Sequence, residues 1–235
     1  MKQKINLVVS NKGGCGKSTL FWLFCVANRE KEKNLFVDCD AATLTSTRQV
    51  AFLEKRGQLK TLKLVDERDV LQRDLLTSFW EHLMGQDVTD CYMDFGSAES
   101  EGLLHLISSD IPFKEFADAT NQEFIFHVVV AGGSAYRSCT NYLSKLNSLL
   151  GQNFKVIIWA NTTSFSQFNE LHEELHRNAK LMNLEIKDWG NIPPSSHIGN
   201  MLLDNIRRGG DLDSLSIGPR ITLMRELKTN FDYEE

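Results

Sequence analysis

A glycine-rich segment near the N-terminus carries the strongest chemical signal in this sequence. Residues 10–19 read SNKGGCGKST, between a β-prone apolar run at 5–9 and an apolar run at 20–27 typical of a buried helix. Glycines let the backbone N–H groups of such a loop point inward, and the N-terminus of the following helix adds partial positive charge. The segment therefore predicts a phosphate-binding loop.

The end of this segment matches the P-loop pattern. In a P-loop the lysine reaches the β- and γ-phosphates of a nucleotide and the following hydroxyl ligates Mg²⁺. Lys17 and Ser18 hold these two places here. Asn11 stands where the pattern has its first glycine, and asparagine still tolerates the left-handed backbone region.

A second lysine makes the resemblance more specific. Lys12 precedes Lys17 by five residues, and KGGCGKS resembles the deviant Walker A motif of the ParA/MinD ATPases. In that family the extra lysine contacts the nucleotide of a partner subunit, so the resemblance implies a homodimer joined through ATP. The alternative is a solvated loop lysine. The resemblance implies catalytic roles for Lys12 and Lys17, and ATP binding by Lys12, Gly13, Gly14, Cys15, Gly16, Lys17, Ser18 and Thr19.

Two carboxylates follow the next predicted strand, at 35–37. Asp38 and Asp40 are expected to face the phosphates, because parallel sheets bind ligands at strand carboxyl ends and residues i and i+2 share a face. The family resemblance assigns Asp38 to the Mg²⁺ site, with Ser18, and assigns Asp40 to orienting the attacking water. The alternative is that Asp40 caps a helix over 41–52.

The segment after Asp40 departs from the family pattern. Partition ATPases usually continue with Pro-Gln-Gly, whereas residues 41–45 here read AATLT. The resemblance thus implies an ATPase whose hydrolysis is slow or depends on a partner protein.

Further site residues are implied by the order of the remaining strands. Residues 91–96 (CYMDFG) resemble a Walker B strand, in which Asp94 reaches Mg²⁺ through water and the Gly96 N–H lies near the γ-phosphate; a hairpin turn is the alternative. In the family, an asparagine after the penultimate strand and a proline after the last strand hold adenine. Asn161 and Pro193 occupy those places.

Strands and helices alternate along the rest of the chain. Strands are predicted at 59–65, 124–130, 154–160 and 185–192. Helices are predicted over 69–84, after residues 131–134 through 150, and from Ser164 or Ser166 to 181. His172 and His176 fall on the last of these helices and are interpreted as part of a solvated face. The alternation predicts an α/β fold with a doubly wound, mostly parallel sheet flanked by helices, in a single domain over 1–235. The resemblance makes this a SIMIBI-like P-loop NTPase fold.

Composition narrows the possible partners. The net charge of −5 gives no general attraction to DNA or to anionic membranes, so any such contact needs a local patch. Five scattered cysteines favour buried thiols in a reducing cytoplasm, and no apolar run is long enough to cross a membrane.

A basic C-terminal surface would suit non-specific DNA, although neighbouring acids favour an ordinary solvated face. Its residues would be Arg207, Arg208, Arg220, Arg225 and Lys228.

Two further runs suggest a branch of the family. Residues 127–133 (HVVVAGG) and 157–161 (IIWAN) resemble the plasmid TraL/StbB-type proteins. This implies an ATP-switched factor in plasmid conjugation, positioning or segregation, with a protein partner that stimulates hydrolysis. The alternatives are a biosynthetic ATP-dependent enzyme of the dethiobiotin-synthetase or cobyrinate-amidating type and a MinD-like membrane-cycling ATPase. The acidic C-terminus disfavours the membrane alternative.

Overall fold

A seven-stranded parallel sheet organises the chain, which a computed structural model describes over residues 2–40, 45–66, 70–231 and 233. Every neighbouring pair of strands in it runs parallel. This confirms the predicted fold class. The strands are β1 (Gln3–Val9), β2 (Asn34–Asp38), β3 (Leu59–Thr61), β4 (Asp90–Asp94), β5 (Gln122–Val130), β6 (Lys155–Asn161) and β7 (Glu185–Trp189).

The strand order makes β1 the centre of the sheet. From edge to edge it is β3-β2-β4-β1-β5-β6-β7, so β2, β3 and β4 lie on one side of β1, with β4 next to it, and the later strands lie on the other side. In open parallel sheets, ligands bind beyond the carboxyl ends of the strands, at the point where the order reverses. Here that point is the end of β1, where the glycine-rich loop begins.

Helices connect the strands. They are α1 (Lys17–Asn28), α2 (Thr45–Gln49), α3 (Arg73–Leu83), α4 (Ser97–His105), α5 (Phe113–Ala119), α6 (Tyr136–Leu150), α7 (Thr162–Phe165), α8 (Asn169–Leu181), α9 (His197–Arg207) and α10 (Ile217–Asn230). The helices lie on both faces of the sheet, with α1 against one face of β5 and α3 and α5 against the other.

Strand β5 shows both layers of the core. His127 lies on one face, where its ring centroid is 4.8 Å from that of Phe24 on α1. Phe124 is three residues before His127 and therefore lies on the other face. Its ring centroid is 5.0 Å from that of Trp80 on α3 and 4.9 Å from that of Phe113 on α5. Because successive side chains of a strand point to opposite faces, the single apolar run of β5 contributes to an aromatic-rich layer on each side of the sheet. All five cysteines are buried free thiols.

Several predicted boundaries were wrong. Neither Ser164 nor Ser166 opens one long helix, because the chain forms α7 and then α8, separated by a turn at 166–168. The Ser164 hydroxyl instead accepts the Gly132 N–H at 2.8 Å and donates to the Asn161 carbonyl at 2.6 Å. Strand β3 has only three residues, and β7 ends at Trp189.

Two predicted helices begin outside the described residues. The helix predicted over 41–52 includes 41–44, and the one predicted over 69–84 starts at Asp69, which is also outside. Within the described part, α2 and a 3-10 segment (Ala51–Arg56) occupy the first region, and α3 begins at Arg73. Over the described ranges, no helix combines the length and hydrophobicity that a bilayer crossing requires.

Candidate nucleotide-binding site

The loop between β1 and α1 adopts the backbone that its glycines were expected to allow. Gly14 and Gly16 have φ angles of 75° and 109°, in the left-handed region that residues with a Cβ rarely adopt. A Cβ at Gly16 would also lie 2.9 Å from Asn161 Nδ2 and 3.1 Å from the Trp189 ring. Gly16 is therefore required both by conformation and by close packing.

Lys17 opens α1 with its side chain turned back into the loop. It is almost fully buried, and its ammonium donates to the Lys12 carbonyl at 3.1 Å and to Ser97 Oγ at 3.5 Å. No acidic residue lies in the first turn of α1. The loop, the helix N-terminus and this ammonium thus form a cationic cradle suited to phosphate.

The second lysine of the loop lies differently. The Lys12 side chain is exposed, as are Gly13 and Gly14 beside it. Only the backbone carbonyl of Lys12 takes part in the contact with Lys17. Its charge is therefore available on the outer face of the loop.

Two buried carboxylates meet at the carboxyl ends of β2 and β4. Asp38 and Asp94 are Cα partners in the register of these strands. Asp38 accepts the Thr47 N–H at 2.6 Å and its hydroxyl at 2.7 Å, and Asp94 accepts the Ser46 hydroxyl at 2.6 Å. Helix α2 therefore holds both carboxylates.

Burial changes the acidity of this pair. It raises the pKa of Asp38 above its ordinary value, and it raises the pKa of Asp94 to about 7. Three nearby groups lower the pKa of Asp94 but do not offset the effect of its burial away from water. They are the Ser46 hydroxyl, the Lys17 ammonium and the Ser18 hydroxyl. A cation beside this carboxyl would favour its charged form.

The donor set fits Mg²⁺, which binds oxygen ligands and usually keeps several waters. Asp94 Oδ1 is buried and has no hydrogen-bond partner among the described residues. A buried carboxylate oxygen without a partner is costly unless it meets a cation. Ser18, Asp38 and Asp94 are therefore the residues that would hold the ion.

Asp40 and Gly96 lie next to each other beside these carboxylates. The Asp40 N–H donates to Asp38 Oδ1 at 3.0 Å, and its side chain is half-buried. A Cβ added to Gly96 would lie 3.2 Å from Asp40 Cγ, which shows how close the two residues are. The predicted capping of a helix by Asp40 involves 41–44 and lies outside the described residues.

An apolar pocket adjoins the loop on the side of β6 and β7. Asn161 lies between this pocket and the loop, where its Nδ2 donates to the Cys15 carbonyl at 3.1 Å. The walls include aromatic and aliphatic side chains as well as polar groups, an arrangement typical of sites for flat organic ligands. Among the lining residues are Thr19, Trp22, Asn161, Trp189, Pro194 and Leu202.

The expected proline lies at the margin of this pocket. Pro194, and not Pro193, is among its lining residues. Pro193 is exposed, and its carbonyl accepts the Ser196 N–H at 2.9 Å and hydroxyl at 2.8 Å, at the start of α9. The role of Pro193 in holding adenine stays a prediction.

Some residues of the site were not anticipated from the sequence. Ser46 and Thr47 fall in a short polar run without a motif, and Trp189 follows a partly polar strand. Glu226 of α10 shapes the far side of the pocket, where it accepts the Gly190 N–H at 3.2 Å and Asn191 Nδ2 at 3.3 Å. A tryptophan at a strand end is a weak signal that could have pointed to the pocket.

Two of the C-terminal basic residues are paired with neighbouring acids. Arg207 pairs with Asp204 at 3.3 Å, and Arg220 pairs with Asp213 at 3.0 Å. These pairs support the solvated-face interpretation for the two arginines. DNA binding through this surface stays a prediction.

Comparison with known proteins rests on structure alone. No protein-family model matches the chain, and no curated protein matches it in sequence. The MinD cell division protein of Aquifex aeolicus has a TM-score of 0.56 at 16% identity, over 99% of this chain and 98% of that one. A chain of the Aquifex aeolicus MinC:MinD complex has a TM-score of 0.51 at 18% identity, over 97% and 96%.

A plasmid partition protein from Borrelia burgdorferi has a TM-score of 0.49 at 15% identity, over 88% of this chain and 97% of that one. Identities this low speak to the fold and to nothing finer. With its all-parallel sheet, its central β1 and the glycine loop that follows, this chain has the fold of the MinD cell division protein.

Proposed function

We propose that this protein is an ATP-binding and ATP-hydrolysing dimerisation switch. One observation carries the proposal: the buried Lys17 ammonium and the buried carboxylates of Asp38 and Asp94 lie at the same end of the central strands, around a loop with P-loop backbone. A cation and paired acids at a helix N-terminus are what a metal-bound triphosphate requires.

Each part of the site has a distinct role in this proposal. Lys17 and the loop N–H groups bind the β- and γ-phosphates, and Asn161 and the adjoining pocket receive adenine. Ser18, Asp38 and Asp94 hold Mg²⁺, which neutralises phosphate charge when bound. Asp40 orients the attacking water, and Lys12 reaches the nucleotide of a second copy.

The biological setting is the finer part of the proposal. We place the switch in the cytoplasm, acting in plasmid conjugation, positioning or segregation, with a protein partner that stimulates slow hydrolysis. Its support is the sequence resemblance to the TraL/StbB-type proteins at 127–133 and 157–161. Non-specific DNA is a further proposed partner through the C-terminal basic residues.

Calorimetric titration with Mg-ATP tests nucleotide binding. We expect Lys17→Ala to abolish binding, because it removes the charge that faces the phosphates in a nearly water-free position. Lys63→Ala, at an exposed lysine away from the loop, is the matched control. Unchanged affinity in Lys17→Ala would contradict the site, and tighter binding of GTP than of ATP would contradict the adenine assignment.

The plasmid role needs a separate test. A plasmid that carries this gene should lose transfer or stable inheritance when Lys17→Ala replaces the wild-type chain. Normal transfer and inheritance would contradict the biological setting while leaving the ATPase proposal intact.

A further inference from the structure

Two histidines and an aspartate converge on the side of the sheet beyond the nucleotide pocket. His172 and His176 lie one turn apart on α8, and Asp188 lies on the edge strand β7. His172 Nε2 and His176 Nε2 are 2.8 Å and 3.0 Å from Asp188 Oδ1, and the two nitrogens are 3.3 Å from each other. Both histidines keep the partial exposure expected of a solvated face, but the sequence did not predict that the fold brings Asp188 against both rings.

We propose that His172, His176 and Asp188 form a binding site for a divalent transition-metal ion, and that the ion is Zn²⁺. Bonds of about 2.0–2.1 Å to imidazole nitrogen and carboxylate oxygen in a tetrahedral site set ligand atoms roughly 3.3 Å apart. The three observed separations come within about half an ångström of that value. Two imidazoles and one carboxylate match the three-ligand sets of open zinc sites.

The ligand chemistry selects against Mg²⁺ at this place. Imidazole nitrogen suits Zn²⁺ and its neighbours, whereas Mg²⁺ prefers oxygen and keeps much of its water. The site is thus chemically distinct from the carboxylate pair near the P-loop, and the inference does not rest on the proposed ATPase function.

The surroundings hold the three donors in place. The His172 ring packs against Phe165, with ring centroids 5.0 Å apart, and the two histidine rings are nearly perpendicular at 85°. On β7, Asp188 pairs with Ala160 of β6, and its carbonyl accepts Asn230 Nδ2 of α10 at 3.0 Å. A ligand set on a helix and a paired strand is already positioned before the ion arrives.

The donors are also reachable from solvent. The side chains of His172, His176 and Asp188 are 27%, 39% and 38% exposed. An ion can therefore enter without unfolding, and a water can complete its coordination. The bound ion would link α8 to β7, whose last residue, Trp189, lines the apolar pocket beside the loop.

Titration of the tag-free full chain with ZnCl₂ tests the site. We expect one Zn²⁺ per chain, a rise in melting temperature, and the visible absorption of tetrahedral cobalt when Co²⁺ replaces Zn²⁺. His176→Ala and Asp188→Asn should each weaken Zn²⁺ binding by at least about tenfold. His105→Ala, at an exposed histidine on another helix, should bind as the wild type does.

Two further variants separate this site from the P-loop and from effects of misfolding. Asp94→Asn removes a carboxylate near the P-loop and should keep Zn²⁺ binding, which distinguishes the two sites. Because the ligands are partly exposed, His172→Gln is expected to stay folded and gives a third measurement if another variant is unstable. Absence of Zn²⁺ binding, or equal binding by wild type, His176→Ala and Asp188→Asn, would overturn the proposal.

Discussion

Ser46 Oγ donates a hydrogen bond of 2.6 Å to Asp94 Oδ2, although the two residues are far apart in the chain. Both are buried, and the bond joins α2 to the end of β4. Through its neighbour Thr47, the same helix also holds Asp38. Helix α2 is thereby tied to the acidic end of the site.

Removing this hydroxyl should destabilise the metal-free protein. Ser46→Ala leaves a buried carboxylate with one hydrogen bond fewer, and such bonds to charged groups contribute about 1.5–3 kcal/mol. We expect the free energy of unfolding in urea at pH 8 to fall by that amount. Ser148→Ala, at an exposed hydroxyl on α6, should change it by less than about 0.5 kcal/mol. Equal stability of wild type and Ser46→Ala would show that the bond contributes nothing.

The Asp40 carboxylate should affect turnover and not binding. Asp40→Ala is expected to keep Mg-ATP affinity within a few-fold while lowering phosphate release on the order of 100-fold or more, since only the transition state needs an oriented water. Asp87→Ala, an exposed acid on the surface, is the control. Loss of ATP binding in Asp40→Ala would instead make Asp40 a metal ligand or a structural cap.

His127 should make the fold sensitive to acid. Its Nδ1 accepts the Trp159 indole N–H at 3.0 Å, which leaves the proton on Nε2, 3.1 Å from Asn6 Oδ1. Burial, with a smaller effect from Lys187 and Lys155, lowers the pKa of His127 to about 3. The unfolded chain therefore binds the extra proton between about pH 6.5 and 3, and stability falls as pH falls through that window.

The pH effect can be measured by urea unfolding at pH 7 and pH 5. One buried histidine of this kind accounts for roughly 2 kcal/mol of the difference, at about 1.4 kcal/mol per pH unit. His127→Gln keeps a donor and an acceptor but does not titrate, so the difference should shrink by that amount. His82→Gln, at an exposed histidine, should leave it unchanged. An undiminished difference in His127→Gln would assign the acid sensitivity elsewhere.

The parts of the site that were predictable from sequence are those fixed by local geometry. The Lys17 loop is recognised from spacing alone, because glycine conformation and a helix N-terminus are local properties. Asp38 follows from a topological rule, since parallel sheets bind ligands at the carboxyl ends of their strands. Asp94 was expected from the resemblance of residues 91–96 to a Walker B strand. The alternation of apolar runs was enough for the sheet and most of its strands.

The missed residues depend on contacts between distant segments. Ser46 meets Asp94, and His176 meets Asp188, only after helices dock on the sheet. Nothing in a run such as residues 45–47 indicates which of its hydroxyls will be buried. Segment ends were also misjudged around Ser164, whose hydroxyl bonds the Gly132 N–H instead of capping a long helix.

The two lysines of the loop lie on different faces of it. Lys17 already occupies the inner face, where its ammonium lies against the Lys12 carbonyl, while the Lys12 side chain is exposed. A second cation on the same phosphates would be partly redundant. In the proposed dimer, however, Lys12 would reach the partner's phosphates across a two-fold axis while the partner's lysine would reach this site. Such contacts need nucleotides that carry their phosphates, so ATP would favour the dimer and hydrolysis would release it.

Lys12→Ala should therefore weaken dimerisation and not ATP binding by the monomer. A charge-assisted bond contributes roughly 1.5–3 kcal/mol, and symmetry supplies two, so the dimer should weaken by at least about a hundredfold. Light scattering over a concentration series with Mg-ATP measures this, in an Asp40→Ala background that blocks turnover. Lys63→Ala in the same background controls for loss of a surface charge. If Lys12→Ala dimerises as well as its parent, Lys12 is an ordinary loop lysine and the ATP-dependent switch loses its main support.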